Sequence, residues 1–265
     1  MPVLARFVLT FLMVIVVAGP AAAKHETGFL DRSVVVKSVT YKYQVYVPEN
    51  WTAARIWPVI LFLHGSGEIG EDGLVQTEVG IGTAIRRDRS RFPAIIVMPQ
   101  SHADVWWTEP SMMAVAMAAL GAASKEFHGD PVHIYLSGLS MGGYGTWGIA
   151  GEYPGRFAAL VPICGGILRP EEALSHAADD MGVYTEAARK IGSRTPVWIF
   201  HGGDDTTVPV TESRHMYEAM KALGADVKYT EYPGVGHGSW ENAYAEPELM
   251  PWMLSKALKS ASAQP

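Results

Sequence analysis

Five short, apolar runs recur along this chain, at residues 59–63, 94–98, 132–136 (broken only by His133), 158–163 and 197–200, with 227–232 as a more polar last member. A strand with one wet face alternates apolar and polar residues; runs without alternation fit strands buried on both faces of a parallel sheet. Stretches of helical character lie between them. Residues 111–127 carry Met113, Met117 and Leu120 at helical spacing and end near Gly129-Asp130-Pro131. Residues 141–152 are glycine-rich and stop before Pro154, and 211–223 open with a Thr cap and end at Gly224. A last helix is expected over 247–258. Two earlier stretches, 34–39 and 41–47, are rich in β-branched and aromatic residues and read as antiparallel strands. The fold class is therefore α/β: a mostly parallel, twisted sheet with helices on both faces. Residues 169–192 are long and charged for a plain connection and read as a surface insertion.

The chain's 265 residues suffice for one such domain. Hydrophobic residues at 48% against 18% charged argue against disorder. The formal net charge is −6 and no Lys/Arg-rich stretch occurs, which excludes nucleic acid as an expected partner, because phosphate binding needs a basic footprint. The first residues are of another kind. Arg6 precedes the apolar run 7–18, broken only by Thr10, and Gly19-Pro20-Ala21-Ala22-Ala23 follows. A basic start, a short apolar core and an Ala-x-Ala site read as a secretory signal peptide over residues 1–23, leaving 24–265 as the α/β domain of a secreted or periplasmic protein. The run is short for a membrane span, which needs about 20 apolar residues. Cys164 is the only cysteine and ends the 158–163 run, where it reads as a small core residue.

Chemistry enters at Gly138-Leu139-Ser140-Met141-Gly142, a G-x-S-x-G motif between a predicted strand and a predicted helix. That context matters more than the pattern, because the motif makes a strained turn that lifts the serine hydroxyl above the sheet edge. Gly143 to Gly148 also read as G-x-G-x-x-G, but they sit inside the helix and the next strand ends without an acid, so no dinucleotide site is expected. The Gly67–Gly73 stretch lacks the G-K-[ST] of a phosphate loop. No cofactor or metal is called for.

A serine hydroxyl is a weak nucleophile and needs a histidine base, itself oriented by a carboxylate. Of nine histidines, His237 alone follows a late strand, lies beyond the candidate acids and sits among glycines. His64 and His201 each follow a buried strand and precede Gly, which points to structural hydrogen bonding at strand ends; His102 is left open as a cleft residue. The acid is Asp204 or Asp205, in the loop after 197–200.

From residue 59 onward the chain resembles the α/β-hydrolase esterases related to dienelactone hydrolase and the prolyl oligopeptidase catalytic domain. It is especially similar to secreted feruloyl-esterase and polyhydroxyalkanoate-depolymerase-like proteins. The resemblance rests on His64-Gly65-Ser66-Gly67, on Gly138-Leu139-Ser140-Met141-Gly142-Gly143, on His201-Gly202 with Asp205 and Val208-Pro209, and on Gly236-His237. It implies the α/β-hydrolase fold, a catalytic trio of Ser140, Asp205 and His237, and a carboxylic ester as substrate, small or linked to a polysaccharide. A peptidase of the prolyl oligopeptidase-like group and a non-catalytic binding protein are the alternatives. Position in the fold makes the N–H of Met141 one oxyanion donor, and the loop at 64–67 is placed for the second, which the resemblance assigns to Ser66. Trp106, Trp107, Trp240 and Gln100 are the candidates for lining the substrate cleft. Oligomeric state is not legible.

Overall fold

The computed structural model describes residues 26–103, 105–173, 175–176 and 180–258. The expected signal segment and the first residues of the proposed mature chain, His25 among them, lie outside it. Chain order is β1 (Gly28–Val36), β2 (Val39–Val47), β3 (Trp57–Leu63), α1 (Ile81–Arg87), β4 (Ile95–Pro99), α2 (Pro110–Glu126), β5 (Gly129–Leu139), α3 (Met141–Glu152) and β6 (Ala159–Ile163). There follow α4 (Pro170–Ala173), α5 (Gly182–Ile191), β7 (Val197–Gly202), α6 (Val210–Ala222), β8 (Val227–Tyr232), α7 (Trp240–Ala245) and α8 (Leu249–Leu254).

The eight strands form one sheet in the order β1-β2-β4-β3-β5-β6-β7-β8. β1 and β2 form an antiparallel hairpin, β2 pairs antiparallel with β4, and every later pair is parallel. The hairpin turns at Lys37 and Ser38, with φ of 48° and 67°. Two successive left-handed residues give the tight turn whose twist matches that of the strands. The turn thus falls two to three residues ahead of the break expected at Thr40, because neither residue carries the Asn-Gly signal. From β3 the chain steps outward to β4, then returns across β3 to β5. That reversal opens a crevice at the strand C-termini, between the loops after β3 and β5.

Period-two alternation sorts the strand side chains into two cores. Val59, Leu61 and Leu63 join Trp107, Leu120, Trp147, Tyr184 and Met216 on one face. Ile60 and Phe62 join Ile81, Ile85, Tyr135, Phe200, Tyr244 and Met253 on the other. Among the described residues no helix is long and apolar enough to cross a membrane.

Three local expectations are corrected. Residues 169–192 are not a plain surface insertion: α5 buries Tyr184, Ala188 and Ile191 and supplies the crossover between β6 and β7. These three recur at helical spacing, while Glu186, Arg189 and Lys190 face outward and gave the segment its charged look. α6 begins at Val210 behind Pro209, without a side-chain cap from Thr211. The C-terminal helix is the shorter α8, and beyond it Leu258 N–H donates to Val132 O at 2.8 Å, so the chain leaves the helix to lie along β5.

Candidate active site

Ser140 sits between the last residue of β5 and the first of α3, with φ 52° and ψ −120°. This left-handed conformation costs an ordinary residue about 1–3 kcal/mol and persists only when its surroundings hold it. Here they do so through the backbone. Ser140 N–H donates to Ile163 O at 2.9 Å, and Gly143 N–H donates to Ser140 O at 2.7 Å. A Cβ at Gly138 would lie 2.1 Å from Gly142 O, and one at Gly142 would lie 2.0 Å from Leu63 O. The motif's glycines are thus places where strand, helix and the end of β3 touch without side chains between them.

His237 reaches the serine from the loop after β8. Its Nε2 accepts from Ser140 Oγ–H at 2.9 Å, and its Nδ1–H donates to Asp205 Oδ2 at 2.7 Å. A carboxylate only accepts, which fixes that tautomer. The two late loops come this close because Gly202 has no side chain: a Cβ there would meet Gly236 O at 2.2 Å and Val235 O at 2.3 Å. Asp205, and not its exposed neighbour Asp204, faces His237. The Asp205 side chain is fully buried. Its Oδ1 accepts from Thr207 N–H at 2.8 Å and Val208 N–H at 2.9 Å. Burial opposes ionisation, but the hydrogen bonds from His201, His237, Val208 and Thr207 outweigh it and hold the carboxyl below the usual range.

Met141 is the first residue of α3, so its N–H lies ahead of the helical ladder and at the positive end of the helix dipole. Ser66 opens a single helical turn, Ser66–Glu68, in the loop after β3. A Cβ at Gly65 would lie 3.5 Å from Ser140 Cβ, so this loop runs directly beside the serine. His64 anchors it: buried, it donates from Nδ1 to Gly65 O at 2.6 Å and accepts Ser101 N–H at Nε2 at 2.9 Å. Burial pushes its pKa down to about 4, so the ring is neutral.

The expected cleft residues divide. Trp240 is half-buried and stands edge-on to the His237 ring, with centroids 5.4 Å apart. Trp106 is half-buried against Tyr144, one helical turn beyond Ser140, with the Arg169 guanidinium 4.7 Å over its ring. Trp107 is a correction: it has no exposure, its Nε1–H donates to His64 O at 3.0 Å, and it packs beneath Gly145 of α3. Gln100 is another. Its buried amide accepts from Gly73 N–H at 2.7 Å and donates to Glu68 O at 3.2 Å, so it braces the loop at 68–73 from within. His102 packs on the Tyr41 ring at 4.4 Å.

Two residues that the sequence marks only as structural, His201 and Cys164, lie against the trio. His201 contacts Asp205, and Cys164 brings its sulfur within 4.8 Å of donor atoms of Asp205 and His237. Burial pushes the Cys164 thiol up to about 12, which keeps it protonated and a poor nucleophile or metal ligand. A separate cavity of about 730 Å³ lies between α3 and α5, lined by Tyr144, Trp147, Ile167, Val183 and Ala187 among others.

A family model for dienelactone hydrolases matches residues 88–255, more than half of the chain. The chain belongs to the dienelactone hydrolase family. This family member has the α/β-hydrolase fold, and a solved thermostable esterase superposes with a TM-score of 0.72 at 30% identity, over 86% of this chain and 63% of that one. Acyl-protein thioesterase 1 of Gibberella zeae is 32% identical over 109 residues, 41% of this chain and 43% of the relative. The chain thus spans less than two thirds of the length of either. A poly(3-hydroxyoctanoate) depolymerase of Pseudomonas fluorescens is 23% identical over 82% of this chain and 80% of its own.

Proposed function

We propose that this hydrolase cleaves carboxylic esters through an acyl-enzyme on Ser140. The observation that carries the reading is the unbroken chain Ser140 Oγ–His237 Nε2 and His237 Nδ1–Asp205 Oδ2, at 2.9 and 2.7 Å. His237 takes the serine proton as Oγ attacks the ester carbonyl, and Asp205 stabilises the resulting imidazolium. The carbonyl oxygen becomes an oxyanion held by the N–H groups of Met141 and Ser66. His237 then returns its proton to the departing alkoxide, which leaves as the alcohol. Water, deprotonated by the same histidine, releases the acid and restores Ser140.

Trp106 and Trp240 support an aromatic acyl group, such as a cinnamoyl or feruloyl ester, or a short acyl chain, free or linked to a polysaccharide. The N-terminal pattern supports export, with residues 1–23 removed and 24–265 forming the catalytic domain. The test is a parallel assay of p-nitrophenyl acetate, longer acyl esters, methyl ferulate and proline-containing peptides, with Ser140→Ala as control. Ester turnover that vanishes in Ser140→Ala is expected. Turnover of peptides alone would make the protein a peptidase, and no turnover of any substrate would make it a binding protein on this fold.

A further inference from the structure

We infer that His201, locked by Ser213, is a positioning residue that holds the Asp205 carboxylate from the β7 side and limits how strongly it pulls on His237. This rests on the reading of Ser140, His237 and Asp205 as the reacting groups.

His201 is the fifth residue of β7, and neither its side chain nor that of Asp205 has any exposure. Its Nε2 lies 3.1 Å from Val208 O and 3.2 Å from Asp205 Oδ2. Both of those groups only accept, so Nε2 carries a hydrogen. Nδ1 lies 2.6 Å from Ser213 Oγ. In the neutral ring Nδ1 is then an acceptor, and the Ser213 hydroxyl must donate to it. Ser213 is itself buried on α6, so a helix across the loop dictates which nitrogen of His201 faces the acid.

Asp205 Oδ2 therefore accepts from two histidines, while Oδ1 accepts from two backbone N–H groups. The carboxylate cannot rotate without breaking several of these bonds. Sharing Oδ2 also divides its charge. Without the His201 donor, Oδ2 serves His237 alone, and the His237 imidazolium gains stabilisation. The base must be neutral to accept the serine proton, so the acid limb of kcat/KM moves to higher pH.

Glu231, Cys164 and Tyr144, which face this cluster from β8, the end of β6 and α3, each keep one charge state between about pH 5 and pH 8, where a histidine titrates. Glu231 of β8 pairs with His201 in the β7–β8 register, and the hydrogen bonds from Arg214 and Tyr229 hold it at about 2, charged throughout. Cys164, at the end of β6, is held protonated by burial, and so is the Tyr144 hydroxyl on α3.

The experiment measures kcat and KM for p-nitrophenyl acetate across pH in His201→Leu, His201→Gln and Ser213→Ala, with thermal melting of each. His201→Leu is expected to lower kcat roughly 10- to 100-fold through misplacement of the acid, with little change in KM. Its acid limb should rise by about half a pH unit or more. His201→Gln keeps an N–H donor and should recover most of both, and Ser213→Ala should move both the same way by less. Wild-type kcat and limb in a folded His201→Leu would overturn the inference, as would a His201→Gln equally impaired with its limb unmoved. Should His201→Leu not fold, His201→Gln and Ser213→Ala decide: a shifted limb in Ser213→Ala with recovery in His201→Gln supports it, and wild-type profiles in both overturn it. Labelling by a fluorophosphonate at a residue other than Ser140 in the wild type is a separate failure, that of the underlying reading.

Discussion

The turn that carries Ser140 is held by backbone packing, whereas the loop that carries Asp205 is held by side-chain hydrogen bonds. At the first, glycines 138 and 142 let three backbones touch, and the serine's strained φ follows from that contact. At the second, no residue within the 203–209 loop has positive φ; the carboxylate is fixed by donors drawn from β7, the loop itself and the loop after β8. The difference separates two kinds of damage. Altering the Ser140 turn, an elbow between β5 and α3, should cost stability, and altering the acid loop should cost turnover at nearly constant stability.

The largest expected effect is at the acid. Asp205→Asn should lower kcat by roughly 10⁴, since an amide no longer enforces the productive His237 tautomer. Asp204→Asn, at an exposed side chain, should leave kcat within about twofold. Steady-state kinetics on one ester, with melting curves alongside, measure both; equal losses would erase the distinction between the two aspartates.

On the stability side, the loop beside the elbow gives a pH test. His64 is buried neutral, with a folded pKa of about 4 against an ordinary 6.5. The unfolded chain therefore binds the proton first as pH falls. Stability present above pH 6.5 is lost progressively toward pH 4, by about 3 kcal/mol from this one group. Protonation also ends acceptance of the Ser101 N–H at Nε2. Urea midpoints at pH 7 and 4.5 should show this drop in the wild type, and a clearly smaller one in His64→Gln.

The elbow itself predicts opposite signs within one helix. Gly142→Ala places a methyl 2.0 Å from Leu63 O and should destabilise by about 1–3 kcal/mol or more. Gly151→Ala meets nothing closer than Lys190 Cβ at 3.5 Å and should stabilise by up to about 1 kcal/mol through helix propensity. Denaturant titration of the two variants checks this, and a neutral Gly142→Ala would break the account of the elbow. The smallest effect is expected at the rim, where Trp106→Ala should raise KM for feruloyl esters several-fold more than KM for acetyl esters of the same alcohol. Equal changes for both would remove Trp106 from the acyl side.

The same contrast explains what the sequence made legible. The parallel sheet follows from apolar runs that need no distant information, and the elbow from glycines whose spacing is itself the constraint. Asp205 and Asp204 are adjacent polar residues in a loop, so their phase is decided only by where the loop curls. The same holds for Trp106 and Trp107, of which one is half-buried and one has no exposure. His201 looked structural because strand-end histidines before glycine usually are. Its second partner depends on the loop folding back onto the strand end. α5 was hidden by its outward charges, although Tyr184, Ala188 and Ile191 already carry the helical period.

The most direct test of the account is covalent. Incubation with a serine-directed fluorophosphonate, followed by peptide mass mapping, should place one adduct per chain on Ser140 and abolish ester turnover in parallel. The adduct should be absent in Ser140→Ala and slow to form in Asp205→Asn. An adduct on another residue, or full turnover after stoichiometric labelling of Ser140, would contradict the assignment of the nucleophile.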